Sequence, residues 1–243
     1  MIKVGKVGYL NTLPLFYKWD TSQTVLVEGH PSELVDRLRK GELHAGIVSS
    51  VEYLFHKEDY LIVPKVCIAS RERACSVLIF SNRHLEDLKS LYLTPASLTS
   101  KELAMYVVKV IYGNSPELVK DRSKADAIML IGDEAMIEKS LGKWQYVYDL
   151  GEEWFKRHRL PFVFALFLVR RDAPTWLCDY IAKQCSTSKD LFFKDLMQGR
   201  IKVNGFNQSF LVEYFTSCLQ YDLDEKAIQS LGIFNGFLMK RNL

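Results

Sequence analysis

Four short stretches of this sequence place hydroxyl, amide or carboxyl side chains just after an apolar run and just before a predicted helix. They are Tyr9-Leu10-Asn11-Thr12, Val48-Ser49-Ser50, Thr94 to Ser100, and Ile131-Gly132-Asp133-Glu134. Helix N-termini carry unpaired N–H groups and the positive end of the helix dipole. Two or three such termini at one crevice can bind an anion without any lysine. The spacing therefore predicts a site for a small carboxylated ligand.

The same residue types are the usual helix caps, so each stretch also has a purely structural interpretation. Asn11 or Thr12 can accept the first free N–H groups of the first helix, and Thr99 with Glu102 fits a capping box. A single junction favours the structural interpretation. The recurrence of such junctions after several strands makes a ligand site an equally good interpretation, because open α/β sheets bind ligands at the carboxyl ends of their strands.

The sequence contains no motif for nucleotide binding, zinc binding or serine-hydrolase catalysis. The stretch GKVG is not a dinucleotide fingerprint, and the sequence contains neither a Walker A motif nor a G-x-S-x-G elbow. The five cysteines lack zinc-ligand spacing. We therefore predict no cofactor and no metal site. The histidines sit in charged or polar surroundings and are expected at the surface, which leaves Glu52 and Asp133 as the better-placed carboxylates.

The elements that position these residues alternate between strands and helices. The run Thr24 to Gly29 predicts a strand, the stretch from Pro31 to Gly41 a helix, and the run from His44 a second strand, which together suggest a βαβ unit with parallel pairing. The run LPFVFALFLVR, from Leu160 to Arg170, predicts a strand buried on both faces. The chain after Pro174 is typical of helices. The fold class is therefore α/β.

Composition limits the partners. The chain has 243 residues and a formal net charge of +3, with 32 basic and 29 acidic residues spread along it. The absence of a basic arm argues against a nucleic-acid partner. No window reaches the ~18 apolar residues of a membrane span, and the amino terminus lacks the apolar core of a signal peptide. We therefore expect a cytoplasmic protein without a membrane partner.

Six separated motifs resemble the chorismate dehydratases, the family that opens the futalosine route to menaquinone. They run in the same order from residue 6 to about residue 172, and they are GYLNTLPL, LVEGHPSELVDRLRKGELHAGIVSSVEY, CIASRERACSVLIFS, LTPASLTSKEL, LIGDEA and DLGEEWFKRHRLPFVFALFLVRRD. The resemblance implies a two-lobed fold like a type 2 periplasmic binding protein, with the ligand cleft between the lobes. One lobe would take residues 1–80 and 166–243, and the inserted lobe residues 81–165. A monomer or homodimer is expected.

The implied reaction removes water from chorismate and gives 3-(1-carboxyvinyloxy)benzoate, without a cofactor. Carried over by motif, Asn11 would hydrogen-bond the substrate near the departing hydroxyl. The substrate is a small-molecule dicarboxylate, and its carboxylates would be bound by Ser49, Ser50, Thr99 and Ser100. Ser76 would lie where the chain crosses between the lobes. Tyr9 and Phe162 would form apolar walls of the site. Asp133 would be either a helix cap or a catalytic residue that handles the proton. Because no motif supplies a base, we expect a carboxylate of the substrate to take the ring proton.

The chain departs from the resemblance at Leu98, where many members carry arginine. Either another cation grips that carboxylate, or helix N–H groups hold it alone. Two related functions compete with this interpretation. The enzyme that forms 1,4-dihydroxy-6-naphthoate would be expected to carry a histidine where this chain reads IGDEA. A non-catalytic solute-binding protein would be expected to carry an export signal.

Overall fold

The structure is a computed structural model that describes residues 1–241. The chain has a two-lobed α/β fold and divides into two compact units. The first unit comprises Met1–Ala69 and Val163–Asp224. The second unit comprises Ser70–Phe162 and the chain from Glu225 onward. Each unit is built around one mixed sheet.

The strands follow the apolar runs of the sequence. They are β1 (Ile2–Val7), β2 (Thr24–Gly29), β3 (Ala45–Ser49), β4 (Tyr60–Ser70), β5 (Val77–Ser81), β6 (Ser90–Leu93), β7 (Glu117–Val119), β8 (Ala127–Ile131), β9 (Tyr146–Asp149), β10 (Phe162–Arg170) and β11 (Leu219–Gln220).

The α-helices begin after strands or loops that carry polar residues. They are α1 (Leu13–Phe16), α2 (Pro31–Arg39), α3 (Ser50–Phe55), α4 (Leu98–Tyr106), α5 (Gly132–Ser140), α6 (Leu150–His158), α7 (Leu177–Met197), α8 (Gln208–Glu213) and α9 (Glu225–Arg241). A 3-10 turn, Leu10–Thr12, precedes α1, and π-helical turns at Val107–Ile111 and Tyr214–Cys218 extend α4 and α8.

The sheet of the first unit has the strand order β11-β4-β10-β3-β1-β2. β2 and β3 both run parallel to β1, with Val7 opposite Gly29 and Val4 opposite Ala45. The expectation that β2 and β3 pair with each other was wrong, because β1 lies between them. The buried face of α2, with Leu34, Val35 and Leu38, fills the space against this sheet.

The predicted buried strand after Leu160 is confirmed as β10, which runs antiparallel to β3 and places Ala165 opposite Ser49. Phe167 of β10 is fully buried and contacts the ring of Phe16 at a centroid distance of 5.8 Å. Burying a phenylalanine side chain is worth roughly 1.5–3 kcal/mol. The aromatic content of this run therefore explains both its strand conformation and its central place in the sheet.

The sheet of the second unit has the order β7-β6-β8-β5-β9. β6 runs parallel to β8, and β5 runs antiparallel to both β8 and β9. A core cluster beneath it joins Leu78 and Phe80 of β5 to Ile128 and Leu130 of β8, with Trp144 packed against them. The helical end of the chain also contributes, because Phe234 of α9 packs edge-on against Trp154 of α6 at 5.8 Å.

Most of the predicted elements are confirmed, and one cap differs. Gly41, with φ of +75°, follows α2 as expected. The residue that caps α4 is Ser97, whose side chain accepts a hydrogen bond from the N–H of Ser100 at 3.2 Å, so the expected capping box starting at Thr99 was wrong. Within residues 1–241, no helix combines the length and the apolar character that crossing a membrane requires.

Candidate functional site

In the first unit, the predicted junctions after β1 and β3 lie at one edge of the sheet, because these parallel strands are neighbours. The chain leaves β1 at Val7 and enters the 3-10 turn that carries Asn11. It leaves β3 at Ser49 and enters α3 directly at Ser50. The prediction that polar side chains lie at the carboxyl ends of strands is therefore confirmed for these two adjacent strands.

The backbone of the turn after β1 is held by Thr12. Its Oγ1 donates to the carbonyl oxygen of Val7 at 2.7 Å and to that of Tyr9 at 2.9 Å, and its N–H also donates to the Tyr9 carbonyl. The side chain of Thr12 is 2% exposed and accepts no cap hydrogen bond at the start of α1. The expectation that Thr12 caps this helix was wrong, because its hydroxyl ties the turn back to β1.

The side chain of Asn11 is not a cap either. Its Oδ1 atom is buried and has no hydrogen-bond partner among the residues that the structure describes. The carbonyl oxygen of Asn11, in contrast, accepts a hydrogen bond from the hydroxyl of Tyr221 at 2.8 Å. A buried, unpaired acceptor costs about 1–3 kcal/mol. This side chain is therefore available to accept a hydrogen bond from a ligand, as expected of a functional residue.

The two serines after β3 are both buried, at 6% exposure for Ser49 and 0% for Ser50. The hydroxyl of Ser50 donates to the carbonyl oxygen of Val163 at 2.8 Å, which ties the start of α3 to β10. A carboxylate accepts hydrogen bonds only, so a donor already used in this way suits it poorly. Ser49 lies at the N-cap position of α3, immediately before that helix begins.

A cavity of about 250 Å³ opens beside the turn that follows β1. Its lining includes Tyr9, which was predicted as a site residue. Glu28 and His30 also line it, and neither was predicted. The other lining residues are Val7, Gly8 and Gly29. Glu28 and His30 lie at the end of β2, the other parallel neighbour of β1. The sequence did contain a signal for them, because Gly29, His30 and Pro31 form a fifth junction between a strand and a helix.

The charge in this cavity is mixed. The Glu28 carboxylate lies against Gly8, where a Cβ would come within 2.7 Å of its Oε1 atom, and it faces Lys6 at 3.6 Å. His30, at the N-cap position of α2, is exposed and makes no side-chain cap hydrogen bond. A carboxylate ligand would meet repulsion from Glu28, so this cavity suits a hydroxyl-bearing part of a ligand better.

In the second unit, the junctions after β6 and β8 also share a sheet edge, since these strands are parallel neighbours. The N–H of Thr94 donates to the Met129 carbonyl at 3.1 Å. Thr99 and Ser100 are buried in the first turn of α4, just after its cap, where helix N–H groups point outward. Leu98, at the first position of that helix, is 38% exposed.

Ser76 joins the junction after β8. Its carbonyl oxygen accepts a hydrogen bond from the N–H of Gly132 at 2.7 Å, which places Ser76 beside the start of α5. Gly132, with φ of +62°, supplies a left-handed conformation that favours glycine. The N-cap residue of α5 is Ile131, so Asp133 lies inside the first turn and is not the cap. Its carboxylate still gains from the helix dipole there.

Phe162 differs from the expected apolar wall. Its ring is 1% exposed and contacts Trp154 at 5.0 Å and Phe234 at 4.9 Å between centroids. Its N–H donates to the Ser70 hydroxyl at 3.3 Å. Within the second unit, Phe162 is a residue of the aromatic core.

Sequence reasoning missed Asp149, which organises the loop leading to Ser76. The Asp149 carboxylate caps α6 by accepting from the N–H groups of Gly151 and Glu152 at 2.9 and 3.2 Å. It also accepts from the N–H groups of Ala74 and Cys75 at 2.8 and 2.7 Å. Removal from water raises the pKa of Asp149 above its ordinary value, although these four N–H groups act in the opposite direction.

Among the residues that the structure describes, no three histidine, cysteine, aspartate or glutamate residues are grouped so that they could hold a metal ion. The candidate site residues are instead hydroxyls, one amide and one first-turn carboxylate. Such a donor set binds and orients an anionic or hydroxylated small molecule.

A family model described as menaquinone biosynthesis matches residues 2–239, nearly the whole chain. The chain belongs to this family. The resemblance seen in the six motifs is thereby confirmed. Among curated members, the chorismate dehydratase of Thermus thermophilus is 30% identical over 193 residues, which cover 70% of each chain. The chorismate dehydratase of Campylobacter jejuni is 31% identical over 171 residues, which cover 67% of this chain and 65% of that relative.

Solved structures similar to this family member confirm its fold. Protein AF1704 from Archaeoglobus fulgidus has a TM-score of 0.78 at 16% identity, covering 99% of this chain and 97% of that one. The alkanesulfonate-binding protein SsuA from Xanthomonas axonopodis pv. citri, bound to MOPS, has a TM-score of 0.71 at 15% identity, covering 100% and 93%. The predicted periplasmic-binding-protein-like fold is confirmed.

Proposed function

We propose that this chain is a chorismate dehydratase, a lyase that removes water from chorismate to give 3-(1-carboxyvinyloxy)benzoate. Two curated chorismate dehydratases are about 30% identical to it, and the family model spans residues 2–239. The observation in the site that carries the proposal is the buried Oδ1 of Asn11 after β1, which has no hydrogen-bond partner within the described residues 1–241. A buried acceptor at this position can take a hydrogen bond from the substrate hydroxyl and fix its orientation.

The chemistry requires little from the protein beyond orientation. The ring loses the proton at the carbon bearing the enolpyruvyl ether, and the neighbouring carbon loses its hydroxyl, so a water molecule leaves and the ring becomes aromatic. Aromatisation drives the reaction forward. The protein must hold the breaking C–O and C–H bonds in a reactive geometry, a contribution worth several kcal/mol of the barrier.

Asn11 is the proposed orienting residue. The substrate hydroxyl donates a hydrogen bond to Oδ1 of Asn11, which satisfies the buried acceptor and holds the hydroxyl in one rotamer. A carboxylate of the substrate takes the ring proton and passes it to the departing hydroxyl oxygen, which leaves as water, because the described hydroxyls and amides of the site are poor bases near neutral pH. Asp133, in the first turn of α5, is the alternative proton acceptor.

The carboxylates of the substrate are proposed to bind at helix starts within each unit. In the first unit the contact is Ser49, immediately before α3. In the second unit the contacts are Thr99 and Ser100 in the first turn of α4, with the N–H groups of that turn replacing the cation that Leu98 does not supply. The expected substrate is therefore a small dicarboxylate held without a metal.

The deciding experiment is incubation of the purified protein with chorismate, with the product followed by chromatography and proton NMR. The expected product shows aromatic ring protons and the vinylidene protons of the carboxyvinyl ether. Asn11→Ala is expected to lower kcat at least a hundredfold, and Asn204→Ala, which changes an exposed asparagine, should leave it unaltered.

Three results would contradict the proposal in different ways. Tight binding of chorismate without conversion would indicate a solute-binding protein of the same fold. Full activity of Asn11→Ala together with an inactive Asp133→Asn variant would move the chemistry from Asn11 to Asp133. Chorismate that neither binds nor reacts would remove the proposed substrate altogether.

A further inference from the structure

We propose that Tyr221 is a positioning residue for the Asn11 side chain, acting through the hydrogen bond from its hydroxyl to the carbonyl oxygen of Asn11. This inference rests on the proposed function, since it assigns Asn11 a role with substrate. Tyr221 lies 210 residues from Asn11 in the sequence, in a segment with no motif that carries chemistry, yet both belong to the first unit.

Tyr221 is itself firmly held. It follows β11, the edge strand that pairs with β4, and its carbonyl oxygen accepts a hydrogen bond from the N–H of Cys67 at 3.0 Å. Its ring lies edge-on to Phe193 at a centroid distance of 6.2 Å, and the residue is 4% exposed. A side chain fixed by a sheet edge and by packing can define the position of whatever it binds.

The hydroxyl of Tyr221 acts as a constant donor. Burial raises the pKa of Tyr221 well above its ordinary value, so the hydroxyl stays protonated near neutral pH. Its single proton is used at the Asn11 carbonyl, at 2.8 Å. The hydrogen bond therefore does not depend on pH near neutrality.

The turn around Asn11 is fixed at its backbone and open at its side chain. Thr12 ties the turn to Val7 and Tyr9, and Tyr221 ties the Asn11 carbonyl, whereas Asn11 Oδ1 is buried without a partner among the described residues. A turn of three residues has little structure of its own to hold one conformation. Such fixing of the backbone is what a preorganised acceptor requires, because a shift of about 1 Å can reduce a rate a hundredfold.

The test is a double-mutant cycle on chorismate turnover. Tyr221→Phe removes only the hydroxyl and is expected to lower kcat about tenfold, with KM changed less than threefold. In the Asn11→Ala background, Tyr221→Phe is expected to cause no further loss, because the side chain that it positions is gone. Tyr60→Phe is the matched control. It removes another buried hydroxyl of the first unit, which donates to Glu52, and should leave kcat unchanged.

Two results would overturn the inference while the proposed function stands: wild-type kcat in Tyr221→Phe, or an equal tenfold loss from Tyr221→Phe in both backgrounds. A wild-type protein that does not convert chorismate would instead overturn the proposed function. The positioning can then still be judged by NMR of the Asn11 side-chain amide, identified by its loss in Asn11→Ala. Tyr221→Phe should shift and broaden this signal and Tyr60→Phe should not, and an unmoved signal refutes the inference.

Discussion

The carboxylate of Asp149 accepts the backbone N–H of Cys75 at 2.7 Å, and so fixes a residue 74 positions earlier in the chain. Cys75 has φ of +63°, a left-handed conformation that non-glycine residues seldom adopt. The same carboxylate caps α6. The Asp149 side chain thus joins the loop before Ser76 to the start of a helix.

Replacing this carboxylate should therefore destabilise the protein strongly. Asp149→Ala is expected to lower the free energy of unfolding by roughly 2–4 kcal/mol, because it removes a helix cap and leaves two loop N–H groups unpaired. Urea denaturation measures the loss, and hydrogen exchange should quicken at the amides of Ala74 and Cys75. Asp121 caps only the exposed turn Arg122–Lys124, so Asp121→Ala should cost about 1 kcal/mol or less. Equal losses in both variants would contradict the anchoring role.

Gly151 should tolerate no side chain. A Cβ there would come within 2.7 Å of the Ala74 nitrogen and 2.8 Å of the Ser70 hydroxyl, both closer than atoms can pack. Gly151→Ala is expected to lower the free energy of unfolding by roughly 1–3 kcal/mol. Gly236→Ala provides the opposite control within α9. Apart from its chain neighbours and the backbone of its own helix, no atom of the described residues lies within 4 Å of its Cβ position, and alanine favours helix by about 1 kcal/mol. Gly151→Ala should lower the melting temperature and Gly236→Ala should raise it. A shift in the same direction in both variants would contradict this prediction.

Asp195 should make stability depend on pH in acid. Its carboxylate is bound by Arg200, Lys18 and Tyr17, with Arg200 the largest influence, and these groups hold its pKa well below the ordinary value. The folded state therefore favours the charged form. The resulting stability is fully present above about pH 4, the ordinary aspartate pKa, and is lost as the pH falls toward the lowered value.

Comparison of the wild type with Asp195→Asn tests this pH dependence. The variant should be less stable at pH 7, and the difference should shrink steadily as denaturation is repeated at lower pH. A difference that stays constant between pH 7 and pH 2 would show that the carboxylate contributes through packing and not through its charge. Asp20→Asn, at an exposed loop position of the same unit, should show little difference at any pH.

The hydroxyl of Thr12 should matter for both the fold and the proposed reaction. Thr12→Val keeps the shape but removes the donor to the Val7 and Tyr9 carbonyls, and should lower stability by about 1–3 kcal/mol. If Asn11 orients chorismate, kcat should also fall, and Thr12→Ser should restore most of it because serine keeps the donor. A serine variant as slow as the valine variant would indicate that the methyl group, and not the hydroxyl, is the important part of Thr12.

The sequence predicted the elements near each junction well, because local patterns determine them. The β-branched run Thr24–Gly29 predicts a strand, and the proline that follows it predicts the start of a helix. The run from Leu160 to Arg170 is too apolar and aromatic to lie outside the core. The error at α4 arose from choosing between two nearby hydroxyls, Ser97 and Thr99, whose capping ability is similar. The pairing error arose because β1 enters between β2 and β3, and strand order is set by contacts distant in the sequence.

The roles of Asp149 and Tyr221 could not be predicted for a different reason. Each side chain binds a backbone group 74 or more residues away. Every residue has the same backbone groups, so the sequence does not indicate which of them a distant side chain will bind. Asn11, in contrast, could be singled out from its junction and its motif, and the structure adds that no residue in the described part of the chain pairs with its side-chain oxygen. Glu28 and His30 could have been predicted from the sequence, since they lie at the carboxyl end of β2 just as Tyr9 lies at the carboxyl end of β1.

The strand order of the first unit also bears on its biosynthesis. β3 pairs with β10, which leaves the ribosome roughly a hundred residues later. At typical synthesis rates this interval lasts on the order of ten seconds. During that time β1, β2 and β3 can assemble, but the apolar edge of β3 stays open to other chains. The nascent protein therefore passes through a period of exposure to aggregation that ends only when β10 arrives, and a chaperone that shields this edge should raise the yield of folded protein.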